Sequence, residues 1–213
     1  MIRLIVPVLF ILLAFTTGCK DKTSKTNENN DIEQVTPIGE EIDNNPKVSI
    51  ILEDGRVINL ELYREIAPLS VDNFLSLVDS KFYDGVIFHR IIRDFMVQTG
   101  GHYLDGNMIN NKETTKTIKG EFASNGVENN LKHEFGVISM ARATDPNSAS
   151  GQFFICTGTH PHLDGQYAGF GKTIDEESNK VLSELNVIPT YPLHPSLADF
   201  PTTVITIKTI TRI

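Results

Sequence analysis

The chain is 213 residues long, carries a formal net charge of −8 and contains two cysteines and no tryptophan. An acidic chain without a basic stripe is a poor partner for nucleic acid, so that class of function is set aside. The first element is N-terminal: Met1-Ile2-Arg3, an apolar run from Leu4 to Phe15, then Thr16-Thr17-Gly18-Cys19. One basic residue, about a dozen apolar ones and a small-residue site predict a signal peptide over 1–18, too short to span a bilayer.

Gly18-Cys19 resembles the lipobox of bacterial lipoproteins, with Thr16 in the place of the usual Leu. The resemblance implies lipidation of Cys19 and a lipoprotein anchored in the bacterial cell envelope, facing periplasm or exterior. Residues 19–46 are rich in Asn, Asp, Glu, Lys and Thr. Such a segment cannot bury enough apolar surface to offset its ordering entropy, so it reads as a flexible tether. With Cys19 lipidated, Cys156 has no intramolecular partner and no disulfide is expected. Cys156 lies in an apolar run and reads as a small buried hydrophobe.

Residues 47–213 are enough for one core. Val48–Leu52 and Val57–Leu62 flank Asp54-Gly55, a strong hairpin signal. After Pro68, Ser70 is placed to cap a helix whose Val71, Phe74, Leu75 and Val78 share one face. The run 86–92 is β-branched and aromatic and reads as a strand. Alternation in Phe95-Met96-Val97-Gln98 predicts another, with Phe95 and Val97 on one side, Met96 and Gln98 on the other. Residues 103–130 are polar and weakly periodic, a long loop. Strands are expected over 134–140 and 151–156, where alternation sends one of Phe153 and Phe154 to the core and leaves the other to line a groove. Asp175 opens a short helix with Val181, Leu182 and Leu185 on one face, and 202–213 closes the domain as a strand. Many strands and two helices argue for a mainly β fold, an antiparallel barrel.

Within this frame Arg90 stands out, a cation among large apolar residues and an amide, Phe95, Met96 and Gln98. Other chemistries find less support. His160 and His162 are spaced as metal ligands, but no carboxylate or Cys pattern completes a site. Ser148 and Ser150 sit in no nucleophile elbow.

Phe88-His89-Arg90 through Phe95-Met96-Val97-Gln98, then Ile138-Ser139-Met140-Ala141, Gln152-Phe153-Phe154-Ile155, Leu163-Asp164-Gly165 and Phe170-Gly171-Lys172 together resemble the cyclophilins. These are peptidyl-prolyl cis/trans isomerases. The resemblance implies an eight-stranded antiparallel closed barrel capped by two α-helices, a monomeric domain, and no cofactor or metal. It implies Arg90 as the catalytic arginine, with Phe95, Met96, Phe154 and Leu163 as walls of a proline pocket. Gln98 and Gln152 would form its polar rim, beside His89. Ala141, Arg142 and Ala143 correspond to the strip that receives the peptide backbone, with Arg142 where Asn is common. Tyr167 stands at a position that is His or Tyr, and His162 where Trp or Phe is usual. Arg93-Asp94 replaces a frequent Pro-Gly before Phe95. The implied partners are proline-containing segments of exported or unfolded proteins. Two function classes follow: a tethered prolyl isomerase, or a non-catalytic module that docks proline peptides.

Overall fold

The computed structural model describes residues 45–213 except Glu113, Thr115 and Ser196. The signal peptide, Cys19 and the tether lie outside the described residues. An eight-stranded antiparallel sheet forms the frame. Its strands run, side by side, in the order β12 (Ile207–Arg212), β1 (Lys47–Leu52), β2 (Val57–Leu62), β9 (Gly169–Thr173), β7 (Val137–Met140), β8 (Phe153–Cys156), β4 (Met96–Thr99) and β3 (Arg90–Ile92). Helices α1 (Pro68–Asp79) and α2 (Glu176–Asn186) pack against it. Two small hairpins, β5 (His102–Asp105) with β6 (Met108–Asn111) and β10 (Thr190–Tyr191) with β11 (Phe200–Pro201), lie outside the main sheet. No helix among the described residues is long and apolar enough to cross a membrane.

The sheet curls into a barrel, but its ladder does not close. Between β12 and β3 the chain at 85–88 is shared by two neighbours. It bonds Ile205 and Ile207 on one side (Phe88 N–H to Ile205 O, 2.9 Å; Ile207 N–H to Val86 O, 2.8 Å), and Ile87 N–H donates to His102 O on the other. Single bridges therefore replace a continuous strand pair, and the expected strand over 86–92 shortens to Arg90–Ile92. The closing strand likewise begins at Ile207 rather than at 202.

Side-chain alternation divides the sheet into rows. Ile91, Val97, Ile155 and Ile138 are aligned across β3, β4, β8 and β7, and all are buried in the main core. Phe74 of α1 meets Phe153 edge-on at 5.4 Å and Phe170 at 5.5 Å, so the helix seals the barrel with aromatic contact. The helix starts differently from expectation. Its first residues follow Ala67, and Ser70 lies inside the helix, buried. Glu121, itself buried, supplies the cap: its carboxylate accepts from Leu69 N–H at 2.9 Å, Ser70 N–H at 2.8 Å and Ser70 Oγ–H at 2.7 Å. An anion at a helix N-terminus satisfies orphan donors and meets the positive end of the dipole. Helix α2 behaves as expected, with Asp175 accepting from Ser178 N–H at 2.7 Å and Val181, Leu182 and Leu185 buried. The expected long loop contains the β5–β6 hairpin, which turns at Asp105-Gly106-Asn107.

Candidate active site

One row up from the core row, register aligns Arg90, Gln98, Phe154 and Ser139 across the same four strands. The next row on that face is Ile92, Met96 and Cys156. Because alternation gives both rows the outer face, a groove forms there with a second, smaller apolar cluster of Met96, Phe154, Cys156 and Leu163 beneath it. A cavity of about 510 Å³ opens above this cluster. Its floor is Met96, Phe154 and Leu163, its polar side Arg90 and Gln98. Phe95 and His162 close one end, and Ala141, Arg142 and Tyr167 the other.

Phe95 reaches this cavity by a route that strand alternation misses. It lies in the turn before β4, where Asp94 adopts φ 57°, a left-handed conformation rare for a non-glycine residue. The turn is clamped from α2: Asp94 N–H donates to Asn186 Oδ1 at 2.7 Å, and Asn186 Nδ2–H donates back to Asp94 Oδ1 at 3.0 Å. Phe95 thus stands with Met96 and Gln98 rather than with the core residue Val97. His162 stacks on it at 5.8 Å and His160 meets its edge at 4.8 Å.

The Arg90 guanidinium is held by one acid. Its Nε–H donates to Asp199 Oδ2 at 3.1 Å, and both side chains are partly exposed. Its terminal nitrogens bond to none of the described residues, so their N–H groups remain free in the groove. Gln98 Nε2–H donates to Gln152 Oε1 at 2.9 Å, which fixes the amide rim. The close approach at Gly101 permits it, because a Cβ there would lie 2.4 Å from Gln152 Nε2.

The floor has its own support. The buried His133 ring stacks behind Phe154 at 6.2 Å and is bridged on both sides, by Asp164 (3.1 Å from Nδ1) and Ser139 Oγ (3.1 Å from Nε2). With Nδ1 protonated toward the carboxylate, Nε2 accepts from the serine hydroxyl. Burial holds the imidazole below its ordinary pKa, against the opposing pull of Asp164. Burial raises the Asp164 carboxyl, but bonds from the His133 backbone and ring and from Lys132 outweigh it and leave the pKa lowered. This Ser-His-Asp string is no hydrolase: Ser139 is fully buried, paired across the strands with Phe154.

The structure therefore gathers Arg90, Phe95, Met96, Gln98, Ala141, Arg142, Phe154, His162, Leu163 and Tyr167 around one cavity. Gln152 and His89 line an adjoining one, His89 with its ring buried against His102. Ala143 is exposed, lines neither, and donates its N–H to Ser148 Oγ at 2.9 Å. Asp199, Asn186 and His133 are the supports that the motifs did not reveal. A wider depression of about 660 Å³ near Glu134 and Lys172 has a charged rim in which those two are already paired at 3.4 Å.

A curled antiparallel barrel with an arginine beside an apolar pocket and an amide rim defines a cyclophilin-type site. Residues 47–212 match the family described as cyclophilin type peptidyl-prolyl cis-trans isomerase/CLD, and the chain belongs to that family. It is 39% identical over 158 residues to a peptidyl-prolyl cis-trans isomerase of Acinetobacter baylyi, covering 71% of this chain and 79% of that protein. It is 42% identical over 136 residues to the human peptidyl-prolyl cis-trans isomerase-like 3, covering 62% and 77%. A cyclophilin-type isomerase of Cryptosporidium parvum superposes with a TM-score of 0.62 at 30% identity, covering 79% of this chain and 98% of that one. A second crystal structure of that isomerase, determined in the presence of the dipeptide Ala-Pro, gives 0.58 at 31% identity, covering 78% and 97%.

Proposed function

We propose that the Arg90 groove accelerates rotation about X-Pro bonds in exported proteins, from a lipid anchor at Cys19. The observation that carries the catalytic part is the free end of the Arg90 guanidinium beside the Phe95–Met96–Phe154–Leu163 pocket.

The chemistry follows from the amide. Rotation must break resonance across a barrier of about 18–20 kcal/mol. An acceleration of roughly 10⁵-fold asks for about 7 kcal/mol of differential stabilisation. With the proline ring seated on Phe154 and Met96, the bond to be rotated lies beside Arg90. In the twisted amide the prolyl nitrogen regains its lone pair, and an Arg90 terminal N–H donates to it. That contact is unavailable in the planar ground state, so it lowers the barrier rather than merely tightening binding. It supplies about 1.5–3 kcal/mol. The apolar pocket adds to this, because a twisted amide is less dipolar than a planar one. Two-dimensional NMR exchange on an Ala-Pro peptide tests the reading: exchange cross-peaks at catalytic protein concentration support it, and unaccelerated exchange despite binding refutes it in favour of a docking module.

The anchor rests on the apolar run Leu4–Phe15 followed by Gly18-Cys19. A single acyl chain binds membranes marginally, whereas two or three hold firmly. Cys19→Ser should abolish fatty-acid labelling and release the protein from the membrane fraction; continued labelling would remove the anchor from the proposal.

A further inference from the structure

Beside the proline pocket lies a second cavity of about 500 Å³, and its character is opposite. Its wall includes Arg90, Arg142, His89, His102, Asn111 and Gln152, with no carboxylate among the described lining residues. The two cavities share Arg90, Gln98 and Arg142 as common walls. In a chain of net charge −8, two arginines converging on one groove form a local inversion of sign. Asp199 offsets Arg90 at 3.1 Å. Among the described residues Arg142 has no such acid. Its guanidinium donates to the backbone carbonyls of Gln166 (3.0 Å), Ala143 (2.9 Å) and Thr144 (3.4 Å), which hold its geometry but leave its charge uncompensated. Its plane is fixed further by the ring of Tyr167, 4.6 Å away, and that of Phe122, 5.1 Å away. A guanidinium positioned at the Tyr167 end of the groove, on a residue that lines both pockets and carries no acid among the described residues, is a specificity element for anions.

We propose that Arg142 makes this site select X-Pro segments carrying a carboxylate side chain within two residues of the proline. The inference rests on the isomerase reading and names the substrate class that this chain favours. Reach is sufficient: two extended residues span about 7 Å, and Arg142 lines the proline pocket itself, so a Glu or Asp flanking the proline comes within range of its guanidinium while the ring occupies the pocket. The half-exposed setting keeps the gain modest. Exposed charge pairs correspond to about 1.4- to fivefold in affinity, and that is the preference expected here.

The test uses X-Pro peptides with Glu, Gln or Lys placed at each of the two positions before and after the proline. Turnover by NMR exchange and affinity by chemical-shift titration are read together, for wild type, Arg142→Gln and Arg142→Glu. For wild type at low salt, Glu peptides should exceed their Gln isosteres about 1.4- to fivefold at one or more positions, and 0.5 M salt should compress the ratio. Arg142→Gln should bring the ratio to about one, and Arg142→Glu should invert it in favour of Lys. Equal Glu-to-Gln ratios in wild type and Arg142→Gln at every position would overturn the proposal. Its failure is separable from that of the isomerase reading, since turnover of the Gln peptides tests the latter while the affinity ratio tests the former even without turnover.

Discussion

Replacing Arg90 by Ala, and Asp199 by Ala or Asn, singly and together, separates the group that acts on substrate from the group that aims it. Arg90→Ala removes the charge-assisted bond to the prolyl nitrogen, worth about 1.5–3 kcal/mol, so kcat/KM should fall about 10- to 10²-fold. Asp199 touches only the Nε side, at 3.1 Å, and the side chains are 39% and 34% exposed. At that exposure solvent screens the pair, which limits it to about 0.2–1 kcal/mol. Asp199→Ala should therefore lower kcat/KM by about 1.4- to fivefold, through a guanidinium that wanders between rotamers. Asp199→Asn keeps an acceptor oxygen and should lose less. In the Arg90→Ala background, Asp199→Ala should cost nothing further, since it has nothing left to aim. The assay is NMR exchange on an Ala-Pro peptide, with thermal denaturation of each variant to show that the fold is intact. Equal activity of wild type and Arg90→Ala would refute the mechanism. An undiminished Asp199 effect without Arg90 would refute the positioning role alone.

Acid should destabilise the domain between about pH 6.5 and 5, before carboxylates titrate. Burial, then His102 and Arg90, push the His89 imidazole down to about 3, so it is neutral in the fold while the unfolded chain protonates below its ordinary value. Stability is complete above about pH 6.5 and falls by about 1.4 kcal/mol per unit below it, roughly 2 kcal/mol by pH 5, with His133 adding in the same direction. Urea melts at the two pH values check this, and a flat or rising stability would contradict it. Gly101→Ala should cut kcat/KM several-fold yet shift Tm little, because its Cβ displaces only the flexible Gln152 side chain. Gly100→Ala should unfold more readily, since φ is +94° and the Cβ would lie 2.4 Å from the Gly151 carbonyl oxygen. The resemblance to cyclophilins implies that a Trp in the place of His162 grips the cyclic peptide cyclosporin. His162→Trp should therefore tighten its binding at least tenfold, since about 60–80 Å² of added apolar contact on the Phe95 face contributes about 1.5–2 kcal/mol, with peptide turnover nearly unchanged. Titrating both proteins with the drug decides it, and equal inhibition would exclude His162 from this part.

What the sequence disclosed and what it hid divide by range. Period-two alternation put Phe153 and Phe154 on opposite faces, because that information is local, while the choice of Phe154 for the groove came from the family motif. It failed at Phe95, where the left-handed Asp94 and its clamp to Asn186 rotate the side chain out of strand register. Ser70 carried a capping residue type, yet Glu121 caps the helix from 51 residues away and has no local signature. Asp199 is 109 residues from Arg90, and nothing in its neighbourhood marks it. The β5–β6 hairpin did have a signal, Asp105-Gly106, the same dipeptide type that disclosed the first hairpin.

Cys156 lies beside Met96 under the groove, wholly buried, and burial first and Asp164 second push its thiol up to about 12. A thiol so protonated and enclosed reacts with alkylating reagents only when the floor beneath the groove opens. In a Cys19→Ser background the domain therefore carries a built-in chemical clock, since its labelling rate measures how often the pocket floor breathes. Adding a peptide that fills the groove should slow that clock in proportion to occupancy, reporting ligand binding by a route independent of catalysis.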